Sequence, residues 1–399
     1  MSESKPFPEI DFQNTKISFE HYSHFKLKKV YSIFALMNQN WLTKIGTFFI
    51  KESLKIGLPI KKVIKMTIFE HFCGGENISE CKSTINELHK FSVGTILDYS
   101  VEGKDNENDF DLTKEEIIKT IQFAFENKDK IPFSVFKVSG LASVDLLEKN
   151  QNPNYIFNSE EQISYIKAKE RIEEICQEAS NCDIKIFFDA EETWIQNSID
   201  DFCLDMMQRF NLKGRTVVYN TYQLYRTESY ALLCQHFERA LINGFKIGAK
   251  LVRGAYMEKE RKRANEKGYL DPINENKFIT DSEFDKATTF CIDNAEKISI
   301  CLGTHNEESC KNCLSLMEKK GLDVGDQGVY FAQLLGMSDN ISFNLAKAGF
   351  NVAKYVPYGP VEAVMPYLFR RADENTSIAG QTSREFTLIK KELKRRLLE

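Results

Sequence analysis

A chain of 399 residues that is 42% hydrophobic, with 30 phenylalanines and 15 tyrosines, can fill one large core, which favours one large domain with an appendage over three equal ones. Its formal charge of −5 excludes the basic excess of a general nucleic-acid binder, and ten cysteines in so long a chain do not read as a disulfide framework. No apolar run approaches the roughly 20 residues that a membrane helix needs.

Residues 1–90 read as a helical N-terminal arm without strand alternation. The start Met1-Ser2-Glu3-Ser4 has neither the basic and apolar pattern of a secretory signal nor a basic presequence. The expected location is therefore cytoplasmic, without a signal or transit peptide. Thr43 to Met66 carries six lysines against one glutamate, interleaved with Ile45, Phe48, Phe49, Leu54, Ile60 and Ile64. Such a stretch suits an anionic bilayer surface, or else packs its apolar side on the main domain with its lysines solvated.

From residue 91 to 399 short β-branched and aromatic runs alternate with helical patterns, the mark of βα units around a parallel sheet. The runs are Val93 to Glu102, Pro132 to Ser139, Ile184 to Glu191, Thr216 to Tyr222, Ile247 to Arg253, Ile298 to His305, Val329 to Leu335 and Val352 to Val356. Stretches such as Leu112 to Lys128 and Ser159 to Ser180 supply helices between them. Eight such units predict an α/β fold, a (β/α)8 TIM-type barrel. A doubly wound open sheet is the alternative, but no G-x-G-x-x-G follows any run.

In a barrel the carboxyl ends of the strands build the active site. Glu102 ends the first run, Lys137 lies near the end of the second, Asp189 and Ala190 end the third, and Asn220 ends the fourth. The fifth closes with Lys250, Leu251, Val252, Arg253, Gly254 and Tyr256, the sixth with Thr304 and His305, the seventh with Gln333 and Leu334, and the eighth with Tyr355. Lysine and arginine suit a carboxylate, the leucines and tyrosines suit a small apolar body, and Arg253-Gly254 with Thr304-His305 suits a pyrophosphate. His305 with Cys310-x-x-Cys313 is the nearest approach to a zinc set, but no second pair follows, and ordinary helix packing is the simpler reading; no metal is expected. The other histidines, His21, His24, His71, His89 and His236, lie away from the strand ends and are expected to be structural.

After the eighth run, a Pro/Gly turn delivers the chain into Tyr367, Arg370, Arg371 and Glu374, which fall at i, i+3, i+4 and i+7 of a helix. Two adjacent arginines are usually solvated. Placed at the mouth of a sheet, they offer a bidentate grip for a carboxylate.

The segments Lys250-Leu-Val-Arg253-Gly-Ala-Tyr256, Gly268-Tyr269-Leu-Asp271-Pro272-Ile273, Thr304-His305-Asn306, Gln333-Leu-Leu-Gly-Met337, Lys354-Tyr-Val-Pro-Tyr-Gly-Pro360 and Tyr367-Leu-Phe-Arg-Arg-Ala-Asp-Glu-Asn375 resemble proline dehydrogenase, in that family's order. The resemblance covers residues 91–399 and, more loosely, the N-terminal helices. Lys250 stands where the bacterial bifunctional form usually has arginine and Asn220 where it usually has glutamine, so the chain looks more like the stand-alone, mitochondrial-type enzyme. The resemblance implies a distorted barrel with its last helix over the mouth and FAD at the strand ends. It also implies oxidation of L-proline to Δ1-pyrroline-5-carboxylate, with electrons passed to membrane quinone. Lys137, Arg370 and Arg371 would hold the proline carboxylate, Glu102 would pair with Arg370, and Leu251, Tyr256, Leu334, Tyr355 and Tyr367 would enclose the ring. Asp189, Ala190, Asn220, Lys250, Val252, Arg253, Thr304, His305, Gln333 and Glu374 would line or support the FAD site. Asp189, Lys250 and Tyr355 would act nearest the chemistry, although the base for the proline nitrogen is not identified. Quinone as acceptor implies peripheral association with the inner membrane, with Thr43 to Met66 and the basic tail Lys390 to Arg396 as contacts, unless the tail packs on the barrel. The rival readings are a flavin barrel of the methylenetetrahydrofolate-reductase kind and a catalytically silent scaffold on the same fold.

Overall fold

The computed structural model describes residues 7–37, 61–100, 106–377 and 381–399, with side chains at all of these except 372–377 and 381–383. All eight expected runs form strands: β1 Val93–Tyr99, β2 Phe133–Phe136, β3 Lys185–Phe188, β4 Val218–Gln223, β5 Ile247–Val252, β6 Ile298–Gly303, β7 Val329–Leu334 and β8 Val352–Tyr358. They close in sequential order into a barrel, and the pairs β1–β8, β2–β3, β3–β4, β4–β5, β5–β6 and β6–β7 are parallel. The second run ends early. Its last residues, Val138 and Ser139, belong to a 3-10 helix, Val138–Gly140, just after β2.

The N-terminal helices are α1 Thr15–Phe19, α2 His24–Met37 and, after a helical stretch from Lys61 to Phe72, α3 Ile78–His89. Next come α4 Glu107–Glu126, α5 Val144–Asn150, α6 Ser159–Cys182, α7 Thr193–Phe210, α8 Ser229–Asn243, α9 Met257–Lys267, α10 Lys277–Asp293 and α11 Glu307–Lys320. The chain ends in α12 Asp339–Lys347, α13 Val361–Ser377 and α14 Gln381–Arg396. Their starts follow capping chemistry. Asn158 accepts from the backbone of Glu160 and Glu161 while Glu161 reaches back to Asn158, a capping box that opens α6.

The chain forms two compact units, Glu102–Ala332 and Met1–Val101 with Gln333–Glu399. In the first, an aromatic floor fills the inside of the strands: Phe133 stacks on Phe187 at 4.4 Å, and Tyr219 meets both edge-on at 5.5 Å. Gly248 is required beside it, because a Cβ there would lie 2.4 Å from the Val218 carbonyl and 2.6 Å from the Tyr219 ring. In the second unit, α2 packs with α13 and α14 around Phe34, Phe72, Val364, Leu368 and Ile389. The basic tail folds inward there. Arg396 donates to the carbonyls of Phe19 and Tyr22, and both Arg395 and Arg396 bind the fully buried Glu392, while Lys390 and Lys394 stay exposed. Of the expected bilayer contact Thr43 to Met66, the part before Lys61 lies outside the described residues. Among the described residues no helix is long and apolar enough to cross a membrane.

Candidate active site

Strand alternation decides which side chains reach the barrel interior. On β4 the helix-facing side is fixed by two contacts. Asn220 gives its amide to Asp200 of α7 at 2.8 Å, and the Tyr222 hydroxyl lies 2.9 Å from Nδ1 of His236 in α8. Tyr219, Thr221 and Gln223 therefore face inward. Thr221 pairs in register with Lys250, which joins Asp189 in an ion pair from the neighbouring strand end. Asp189, Thr221 and Lys250 thus form one inward layer above the aromatic floor, with the Lys250 ammonium 4.9 Å from the centre of the Phe187 ring.

This layer carries Asp189 and Lys250 as the sequence led one to expect, but not Asn220. Asn220 is 1% exposed and turned to α7, and the inward polar residue at the end of β4 is Gln223, whose amide donates to the Glu191 carbonyl at 2.7 Å. Leu251 is also off this layer: it is wholly buried and pairs in register with Tyr222, on the helix side.

Beyond β5 the backbone reverses at Gly254, with φ +135°. A Cβ there would sit 2.5 Å from the Tyr225 ring, so only glycine lets the Arg253-Gly254 backbone lie flat on that ring. Arg253 donates to Asp281 at 2.7 Å, to the Thr304 hydroxyl at 2.8 Å and to the Ser309 hydroxyl at 3.0 Å. Three of the five guanidinium N–H groups are so used, which fixes the fork and leaves two for an anion. Thr304 is buried and His305 is half-buried at the same end of β6. This donor set fits the diphosphate of a dinucleotide, and the inward Lys250 and Gln223 add a cation and an amide on the barrel side. Cys310 and Cys313 are wholly buried in α11, and among the described residues no group of three His, Cys, Asp or Glu is placed to hold a metal ion.

Tyr256 caps the start of α9, and that helix is fastened to the β3–α7 loop. The fully buried Glu260 accepts from the Thr193 backbone at 2.7 Å and its hydroxyl at 2.6 Å. Lys259 pairs with Glu192, and the Arg263 guanidinium lies 4.3 Å from the centre of the Trp194 ring. Lys137 leaves β2 on the same side as Val135, and next to it the Glu191 carboxylate accepts from the backbone of Ser139 at 3.0 Å and from its hydroxyl. Glu191 is 5% exposed, and burial pushes its carboxyl up to about 7 against the opposing pull of Ser139 and the Lys137 ammonium. Sequence reading took Glu191 only as the last residue of the third run and singled out Asp189 there.

In the other unit, Lys354 points to α12, so its neighbour Tyr355 takes the opposite, inward side of β8. Gln333 accepts from the Ser342 hydroxyl of α12 at 2.8 Å, so on β7 it is Leu334 that faces inward. On α13 the Arg371 guanidinium lies 4.9 Å from the centre of the Tyr367 ring one turn back. Arg371 is 6% exposed and Tyr367 7%, while Arg370 is half-buried. The arginine pair is therefore not a solvated face. Glu102 and the side chain of Glu374 lie outside the described residues.

The sequence pattern of the family described as proline dehydrogenase matches residues 81–384. Proline dehydrogenase 1, mitochondrial, of Dictyostelium discoideum is 32% identical over 428 residues, which covers 96% of this chain and 73% of that one. The protein of the same name from Homo sapiens is 40% identical over 244 residues, 60% of this chain and 40% of the human one. Among solved structures, proline utilization A from Bdellovibrio bacteriovorus, inactivated by N-propargylglycine, superposes with a TM-score of 0.72 at 18% identity over 94% of this chain and 39% of that one. The chain thus spans about three-quarters of the Dictyostelium relative and two-fifths of the human one. These relatives also correct the cytoplasmic placement drawn from composition, since both are named mitochondrial.

Proposed function

Since this chain belongs to the proline dehydrogenase family, we propose that it oxidises L-proline to Δ1-pyrroline-5-carboxylate with FAD, the first step of proline catabolism to glutamate, and passes the electrons to a quinone. The observation that carries the substrate class is Arg371, held almost fully out of water on the Tyr367 ring, with Arg370 beside it. A planar carboxylate matches the guanidinium fork, and the Tyr367 ring holds the Arg371 fork in place for one.

The flavin, when bound, supplies the hydride acceptor. What this chain adds is placement. Arg253, Thr304 and His305 hold the diphosphate, with the Arg253 fork fixed by Asp281, Thr304 and Ser309. Arg370 and Arg371 in the one unit, and Lys137 in the other, are the cations proposed for the substrate carboxylate, which would so be oriented. Leu334, Tyr355 and Tyr367 would enclose the ring and exclude water, and Tyr256 of the other unit is a further aromatic proposed for it. The ring nitrogen must shed a proton, for which the chain offers Asp189, kept in place by Lys250.

The test is steady-state oxidation of L-proline by the purified protein with a soluble quinone as acceptor. Proline-dependent quinone reduction is the expected result; its absence from flavin-loaded protein overturns the reading. Quinone reduction driven by NADH instead of proline favours a reductase of the methylenetetrahydrofolate kind.

A further inference from the structure

The Glu191 carboxylate has no part in the roles given above, yet it is buried and both of its oxygens are held. Both oxygens accept from Ser139, in the 3-10 turn that directly follows Lys137. Its backbone is fixed as well: its N–H donates to Gln196 of α7 at 2.7 Å and its carbonyl accepts from Gln223 of β4. Among the described residues, three charged groups bear on it. Lys137 follows β2, Glu192 is its neighbour in sequence and is paired with Lys259 of α9, and Asp200 of α7 is linked through Gln196, whose amide donates to it at 2.9 Å. Asp200 in turn faces Arg226 and Asn220.

We propose that Glu191 is a positioning residue that fixes the turn carrying Lys137 and, by its ionisation, sets how strongly Lys137 attracts the carboxylate of the substrate. The inference rests on the proline reading, because it assumes that Lys137 meets a carboxylate. Ionised, Glu191 shares the lysine's field and repels a second carboxylate; neutral, it leaves that field to the ligand. Its carboxyl, pushed up to about 7 by burial, changes state in the physiological range.

The test uses tetrahydrofuran-2-carboxylate, the ring-oxygen analogue of proline, which has no amine to titrate and cannot be oxidised to an imine. Its dissociation constant is measured by calorimetry on the flavin-loaded protein at a series of pH values. Binding to the wild type should weaken roughly three- to tenfold from about pH 6 to about pH 8.5, the size of effect that a nearby like charge has on an ionisation. Binding should also take up protons near pH 7.5, seen by comparing buffers of different ionisation heat. Glu191→Gln should flatten the profile and abolish the uptake. Ser139→Ala, which keeps the carboxylate but removes a bond favouring its ionised form, should move the midpoint to higher pH. A wild-type profile that is flat, or that Glu191→Gln and Ser139→Ala both leave unchanged, overturns the inference while the proline reading stands. Failure of the wild type to bind the analogue at any pH overturns the proline reading, and this inference with it.

Discussion

The Lys354 ammonium lies 2.8 Å from the Asp339 carboxylate, and the two side chains are only 1% and 7% exposed. The same ammonium donates to the carbonyls of Met337 and Leu334, so one buried cation ties the end of β7 and the start of α12 to β8, next to Tyr355. Burial pushes the Asp339 carboxyl up, but Lys354 and His21 outweigh it and hold it well below the usual carboxylate range. Removing one partner strands a buried charge, so Lys354→Met or Asp339→Leu alone should cost about 3–5 kcal/mol, whereas the double variant should recover most of that loss. Thermal unfolding of the three variants checks this. A loss in the double variant equal to the sum of the two single losses would mean that the pair is not coupled.

The arginines give the second expectation. Arg370→Met and Arg371→Met should each raise KM for L-proline by on the order of 100-fold, the scale of losing a charge-assisted contact in a desolvated site. The flavin spectrum of the purified variants should be unchanged. An unchanged KM would remove the arginines from the carboxylate grip.

Specificity turns on Tyr355, which is 9% exposed and faces the barrel interior. In the proposed site its ring would crowd a hydroxyl on the substrate ring, so kcat/KM for L-proline should exceed that for trans-4-hydroxy-L-proline. Tyr355→Ser should narrow the gap. Comparable values for both substrates in the wild type would take Tyr355 out of the specificity argument.

Stability should fall with acid through His236. Burial lowers its imidazole to about 4, with Arg239 adding to the effect, and it stays neutral beside the Tyr222 hydroxyl. The unfolded chain takes up that proton near pH 6.5. The stability it contributes is therefore complete above about pH 6.5 and is lost as the pH falls toward 4, up to roughly 3 kcal/mol. Denaturant titrations across this range should show a shallower slope for His236→Gln than for the wild type.

The eight strands were legible because β-branched and aromatic runs end in polar residues, and the barrel followed from their number. Which side each residue takes was harder to read. A barrel strand is buried on both sides, so the alternation of apolar and polar residues that would show its phase is missing. Hence Asn220 drew attention while Gln223, three residues on, holds the inward position, and of Gln333 and Leu334, both singled out, only Leu334 faces inward. Glu191 could not be found in the sequence at all, since its partner Ser139 is 52 residues away. The arginine pair lay between these cases: its spacing along α13 was plain, but only the fold shows that Arg371 is buried on Tyr367.

The central claim, that proline delivers its electrons to a flavin held by this barrel, is tested most directly by anaerobic titration of the purified protein with L-proline while the flavin absorbance is followed. The account predicts bleaching of the flavin band that saturates with proline and is not reproduced by NADH. A flavin band that proline leaves untouched would contradict it.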